Sequence, residues 1–455
     1  MSVIHAGEAL LETGWARDVR VTLEGARIAS VETGAAPQPG DYRTGALLPA
    51  PANLHSHAFQ RAMAGLTERR GADPSDNFWT WRKAMYAFLD ALTPDDVEAI
   101  AAFVQMEMLE AGYAANVEFH YLHHGPDGRA YDNLAEMSHR IAAAASQTGI
   151  GLTLLPVLYQ QGGCDGRALG AGQIRFGNDI SRFERLVESA SEALKPLPGD
   201  TRLGISAHSL RAVSREGLAA CIALAPDAPL HMHLAEQTGE VEEVLNAYGA
   251  RPTQWLLDHA PVDARWCLIH CTQMTDAETR ALARTGAVAG LCPVTEANLG
   301  DGIFNGTTWL EAGGRFGVGS DSNVRISLSE ELRQLEYSQR LRDRSRAALA
   351  TREKSAGRVL LEGAAQGGAQ AAGREAGAIA IGKLADLMAL DTGHISLEGR
   401  SSDLVLDSWI FAGDDRMVSD VWAAGRHQVR EGRHIAHETI IERYRATIQR
   451  LGTRL

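Results

Sequence analysis

His55 and His57 stand two apart behind an apolar run, and side chains two apart in an extended segment share a face. Two neutral imidazoles on one face are a ready pair of ligands for a divalent transition metal. Alone, the pair equally describes a polar strand end, because a chain with 16 histidines produces such spacing by chance. Matching groups recur downstream in His231-Met-His233-Leu-Ala-Glu236, Leu268-Ile-His270 and Gly319-Ser-Asp321-Ser322. Each closes a strand-like run. A lone histidine in such a place is usually a satisfied structural residue. Several strand ends carrying histidine or aspartate in one array point instead to a metal-assisted hydrolytic centre.

The intervening pattern supplies elements able to position these groups. Apolar strand-like runs at Leu47–Leu54, Ala115–Tyr121, Ile150–Leu158, Leu203–His208, Pro229–Leu234, Trp266–His270, Val288–Leu291 and Arg315–Gly319 alternate with helical stretches such as Pro94–Ala111, Asn133–Thr148 and Asp179–Leu194. Strands buried on both faces read as continuous apolar runs, and strands alternating with helices predict an α/β fold built on a (β/α)8 TIM-like barrel. Side chains at the C-terminal strand ends then converge on one site. The two chain ends have a different character, with short strands and Gly-marked turns at Arg17–Leu23, Arg27–Val31, Gly377–Asp391, Met417–Ala423 and His427–Arg430. Neither end is long enough for its own core, so they are expected to pair into one small β-sandwich. The expected division is 1–48 and 377–455 for the sandwich, with a C-terminal helix at Glu438–Arg450, and 49–376 for the barrel.

Length and composition allow this. The 455 residues are 45% hydrophobic, enough for a large core, and the net charge of −13 argues against nucleic acid or an anionic membrane as partner. No apolar run is long enough to span a bilayer, and the N-terminus lacks a basic segment followed by an apolar one, so a cytoplasmic location is expected. Five scattered cysteines without a C-x-x-C pair fit reduced, buried thiols, including Cys267 and Cys271 on either side of His270.

His55-x-His57, His233, His270, Asp321 and the Gly-Lys-Leu-Ala-Asp-Leu segment at 382–387 together resemble the motifs of the amidohydrolase superfamily, in order and spacing, over essentially the whole chain. Some members bridge two metals with a carboxylated lysine on strand four. Leu203-Gly-Ile-Ser-Ala-His208 has no lysine, which implies the one-metal subtype, as does Glu236 three residues after His233. The resemblance implies His55, His57, His233 and Asp321 as ligands, with His270 beside the metal. The ion is expected to be Zn²⁺, with Fe²⁺ as the alternative, since such a donor set suits several metals. A Zn²⁺-like ion makes hydroxide available by lowering the pKa of water to about 7. Asp321 can then take the water proton, Glu236 can carry a proton to the substrate nitrogen and the leaving amine, and His270 can stabilise the developing alkoxide. The bland alternative for Glu236 is an ordinary helix-start carboxylate.

Ala52–Thr67, Phe78-Trp-Thr-Trp-Arg82, Glu118-Phe-His-Tyr-Leu-His-His124 and Leu291–Gly302 are similar, more narrowly, to the formimidoylglutamate deiminases of histidine breakdown. That family's substrate is a small molecule with two carboxylates and an amidine. Arginine forks suit carboxylates bidentately, so Arg82, Arg211 and Tyr121 are expected at the carboxylates. His208 is expected as a further donor and Gln60 at the formimidoyl end. Arg82 has the alternative of stacking on a neighbouring tryptophan, and Arg211 of facing solvent. Trp79 and Trp81 are expected as lid or core, His123 and His124 as structural, and Arg61 equally as an ion-pair partner. Relatives are commonly homodimers, and the same is expected here. Two rival readings remain: a purine, pterin or adenosyl-nucleoside deaminase sharing the metal site, and a non-catalytic relative.

Overall fold

The computed structural model describes residues 2–68, 85–86, 88–224 and 226–452. A parallel sheet runs in the order Ala52–Ser56, Ala115–His120, Gly151–Leu158, Ile205–Ala207, Leu230–Leu234, Trp266–His270, Val288–Leu291 and Arg315–Val318. The fourth position is interrupted at Gly204, and its first piece, Arg202–Leu203, pairs with Thr153 and Leu154. Nearly every residue of these strands is buried, including all eight of Gly151–Leu158, which is why they read as unbroken apolar runs. The barrel closes where the Ser56 and Asp321 positions bridge. His57 N–H donates to the Asp321 carbonyl at 3.0 Å, and Asp321 N–H to that of His55 at 2.9 Å. Closure therefore brings the first and eighth strand ends together, and with them His55, His57 and Asp321.

Both chain ends contribute to a second, eight-stranded sheet. Tyr42–Pro49 lies parallel to Ser2–Leu11 and antiparallel to Leu387–Leu390, with Gly14–Glu24 and Arg27–Glu32 on one side and Val418–Ala423, Arg426–Arg430 and Arg433–His434 on the other. Backbone bonds from Ile28 N–H to Lys383 O and from Ala385 N–H to Ala26 O join its far edge to the segment before Leu387, so the sheet rolls around its own small core of Ile4, Val19, Val21, Leu387 and Trp422. Arg374, fully buried, bonds both Asp386 at the base of this sheet and Asp200 of the barrel, and Arg426 reaches the same Asp200. The closing helix His437–Gly452 docks on Pro94–Glu110, with the rings of Phe103 and Tyr444 stacked at 3.8 Å.

The run Leu47–Leu54 is two strands rather than one. Its first part belongs to the terminal sheet and its second opens the barrel. The chain changes sheets at Ala50-Pro51, where Pro51 has no N–H to give to a ladder, and both halves are buried, so hydrophobicity marks no border. A helix at Ala356–Ala371 also interrupts a stretch whose glycines suggest irregular chain. Those glycines admit close contact. A Cβ on Gly367 would collide with the Phe316 carbonyl, and one on Gly368 would lie 3.0 Å from the Ala52 carbonyl oxygen.

Candidate active site

One ligating atom from each of His55, His57, His233 and Asp321 lies within 4.8 Å of all the others, and all four residues are buried. The His57 and Asp321 side chains approach to 3.3 Å, those of His55 and Asp321 to 3.4 Å, and the Nε2 atoms of His55 and His233 to 3.2 Å. Outer contacts set the tautomers. His57 Nδ1 donates to the Phe119 carbonyl and His233 Nδ1 to the His208 carbonyl, both at 3.0 Å, which leaves each Nε2 lone pair turned inward. Burial, above all, keeps these imidazoles neutral: it pushes His55 down to about 3 and lowers His57 and His233 as well. Burial opposes ionisation of Asp321, but the surrounding histidines outweigh it and hold the carboxyl below its usual range. Inward lone pairs and a carboxylate with few donors among them are costly in a dry site. A divalent cation satisfies them, and the donor set fits one. His270, Cys292 and Asp321 form a second convergent group, but burial raises the Cys292 thiol well above its ordinary value, which disfavours the thiolate a metal needs.

The strand ends are turned inward by their backbones. Ala235, His270 and Asp321 have φ of 52°, 70° and 46°, a left-handed conformation that costs roughly 1–2 kcal/mol for a non-glycine residue. Hydrogen bonds hold it. Ser320 N–H donates to Asn53 Oδ1 at 2.8 Å and Asn53 Nδ2 to Ser320 Oγ at 2.7 Å, tying strand eight to strand one, while Ser320 Oγ donates to Asn323 Oδ1 at 2.6 Å within the turn. The Glu118 carboxylate accepts Ala58 N–H at 2.7 Å, fixing the turn that follows His57.

Glu236 and His270 face each other beside the cluster. Glu236 Oε1 is 3.8 Å from His270 Nε2, Glu236 Oε2 is 4.0 Å from an Arg211 nitrogen, and His270 Nε2 is also 3.8 Å from Asp321 Oδ2. Burial is the main cause of the raised Glu236 pKa, with His270 and Arg211 acting in the opposite direction. For His270 burial acts downward, but the carboxylates of Glu236, Glu296 and Asp321 outweigh it and raise the imidazole to about 10. The Glu240 side chain accepts the amides of Ala235 and Glu236 and so fixes the turn carrying the carboxylate.

These groups open into a cleft. Gln60, Tyr121, His208 and Arg211 line it. Gln60 Nε2 donates to the Tyr121 hydroxyl at 2.8 Å, while its Oε1 is buried without a hydrogen-bond partner among the described residues. Arg211 is 6% exposed, so it faces the cleft rather than bulk solvent. His208 is half-buried, with Nδ1 3.1 Å from Ser209 Oγ. Arg82, Trp79 and Trp81 lie outside the described residues. His123 and His124 are buried against the Val157 and Gly177 carbonyls, and Arg61 pairs with Glu107 at 2.7 Å. The walls also include Tyr159 and Phe176, whose sequence context reads only as core, and behind His270 stands Glu296. No spacing signal marks Glu296, because it sits on a seven-residue helix without periodicity.

Residues 46–427 match the amidohydrolase family, and residues 1–45 match the N-terminal domain of the formimidoylglutamate deiminase HutF. A formimidoylglutamate deiminase of Pseudomonas aeruginosa is 48% identical, with 99% of each chain covered. A 5-methylthioadenosine/S-adenosylhomocysteine deaminase of Natronomonas pharaonis is 27% identical over 79% of this chain and 76% of its own. Among solved structures, an amidohydrolase from Brucella melitensis superposes with a TM-score of 0.96 at 49% identity, covering 99% of this chain and 100% of that one. Barrel, terminal sheet and these relatives together place the chain in the amidohydrolase family, among its formimidoylglutamate deiminases.

Proposed function

We propose that the chain hydrolyses N-formimidoyl-L-glutamate to N-formyl-L-glutamate and ammonia, the deamination step of histidine degradation. The observation that carries this reading is the Arg211 guanidinium 4.0 Å from the Glu236 carboxylate inside the cleft. A fixed cation beside a proton-transfer group suits a small substrate whose carboxylate lies a few bonds from its reacting carbon. A flat neutral base needs stacking and amide contacts instead. The 48% identity to a formimidoylglutamate deiminase supports the same conclusion.

In this reading His55, His57, His233 and Asp321 hold one divalent metal, Zn²⁺ in preference to Fe²⁺, which supplies Lewis acidity and hydroxide at neutral pH. The protein's side chains do the rest. Asp321 orients the attacking water and takes its proton. Glu236 protonates the terminal formimidoyl nitrogen, then recovers a proton from the tetrahedral hydroxyl and passes it to the departing amine, so the water oxygen becomes the formyl oxygen and ammonia leaves. His270 donates from Nε2 to the oxygen that gains charge at the tetrahedral carbon. Arg211 and Arg82 bind the substrate carboxylates with Tyr121 and His208 beside them. Gln60 Oε1, buried without a hydrogen-bond partner among the described residues, accepts from an amidine N–H. The working unit is a cytoplasmic homodimer, and each chain divides into a barrel at 49–376 and a terminal β-sandwich at 1–48 and 377–455.

The test is ammonia release by the purified, metal-loaded protein from N-formimidoyl-L-glutamate, compared with guanine and with adenosine derivatives. Turnover confined to the formimidoyl substrate is expected. Preferential turnover of a purine would transfer the assignment to the nucleoside deaminases.

A further inference from the structure

His270 sits at a strand end in a left-handed conformation, with Cys271 after it also left-handed at φ 54°. Two successive non-glycine residues in this region cost roughly 2 kcal/mol or more, so the contacts around the turn must hold it. Its side-chain anchor is Glu296. His270 Nδ1 lies 3.2 Å from Glu296 Oε1, and Glu296 is itself 5% exposed. The same oxygen accepts Cys292 N–H at 2.8 Å, so the carboxylate is pinned by its own helix start before it meets the imidazole. Because a carboxylate oxygen accepts, the ring nitrogen facing it carries the proton. Nε2 is thereby aimed at the Glu236 and Asp321 carboxylates, 3.8 Å from each.

The helix Pro293–Leu299 does this twice. Thr295, the residue before Glu296, donates to the Ser320 carbonyl at 3.2 Å and lies 3.0 Å from Ser322 Oγ, bracketing Asp321 on both sides. Val294 N–H is held at 2.9 Å by the buried Glu331 carboxylate, and Asp301 N–H bonds the Glu296 carbonyl at 2.9 Å, so the bracket is tied at both ends. One short helix thus reaches strands six and eight through adjacent residues.

We infer that Glu296 is a positioning residue for the reaction: it fixes the orientation of the His270 ring so that Nε2 addresses the reacting oxygen. This rests on the role proposed for His270. Glu296 touches no substrate and acts through the ring alone. The bland alternative, a carboxylate that only caps the Cys292 amide, predicts a different response to mutation.

The experiment is a double-mutant cycle of Glu296→Ala and His270→Asn on the metal-loaded protein, with Glu296→Gln as a conservative variant and metal content measured for each. Losing an outer hydrogen-bond partner costs about 10–100-fold in activity in comparable sites. Glu296→Ala is expected to lower kcat at the upper end of that range, about 100-fold, with KM and metal content unchanged. Glu296→Gln, which keeps an acceptor but loses the charge, should fall between Ala and wild type. In the His270→Asn background, removing Glu296 should cost no more than about 2-fold further, since residues acting through one another are not additive. Additive losses, an unchanged kcat in Glu296→Ala, or an activity loss that simply tracks lost metal or folded protein would each overturn the inference. Failure of the underlying reading is distinguishable: His270→Asn alone would then leave kcat intact.

Discussion

Replacing Glu236 by glutamine keeps the size of a buried side chain while removing one charge and the proton-transfer capacity. In the proposed reaction that residue handles the proton at the substrate nitrogen twice, and positioned acid–base groups contribute about 10²–10⁴-fold. At about 1.36 kcal/mol per factor of ten, the barrier should rise by about 2.7–5.4 kcal/mol. The geometry separates this loss from a loss of binding. Glu236 lies outside the convergent ligand group, so metal content should be unchanged. Arg211 loses the anion 4.0 Å away and becomes more available to a substrate carboxylate, so KM should stay level or fall. Steady-state ammonia release, with metal per chain measured on the same preparation, reads all three quantities. A variant retaining kcat within about 5-fold of wild type, far above the range for a lost acid–base group, would refute the proton-transfer assignment.

Arg211→Met should mainly raise KM, by about 10–150-fold if one charge-assisted contact of about 1.5–3 kcal/mol is lost; an unchanged KM would remove Arg211 from the carboxylate site. Chelation should abolish turnover and lower the thermal midpoint, because a ligand that binds only the folded state adds about 2.7 kcal/mol at one hundred times its dissociation constant. Add-back of Zn²⁺ or Fe²⁺, followed by activity and calorimetry, checks both. Asp200→Asn should destabilise the fold by about 3 kcal/mol, since it leaves Arg374 buried with only one carboxylate partner. That penalty should depend on pH. Burial acts upward on Asp200, but Arg426 and Arg374 outweigh it and hold the folded carboxyl below its ordinary 3.8. The unfolded chain therefore takes up the proton first, so the stabilisation is complete at neutral pH and fades as pH falls below 3.8. Melting curves of wild type and variant should converge in acid.

What the sequence made legible follows the chemistry of individual residues. His55, His57, His233 and Asp321, which the fold brings together, stood out because metal-ligating residue types are few and each ends an apolar run, while only the family resemblance set His270 apart from them. The barrel was readable because its strands are buried on both faces. The change of sheet at Ala50-Pro51 was not, because burial continues across it and only the missing proline N–H marks it. The helix Ala356–Ala371 carries glycines whose purpose, close approach to Phe316 and Ala52, depends on partners far away in the chain. Glu296 lay inside the Leu291–Gly302 stretch but had no role there for a related reason: its value lies in a 3.2 Å contact with a ring 26 residues distant. Tyr159 and Phe176 line the cleft but carry no mark separating a pocket wall from core.

The proposed reaction is defined by which carbon–nitrogen bond breaks. Water added to the formimidoyl carbon creates a tetrahedral centre bearing two nitrogens, and the one Glu236 protonates is the one that leaves. Turnover of N-formimidoyl-L-glutamate in ¹⁸O-water, followed by mass spectrometry, distinguishes the two outcomes directly. Singly ¹⁸O-labelled N-formyl-L-glutamate with an equal amount of ammonia is expected. Labelled formamide with free glutamate, or no turnover by metal-loaded protein, would contradict it.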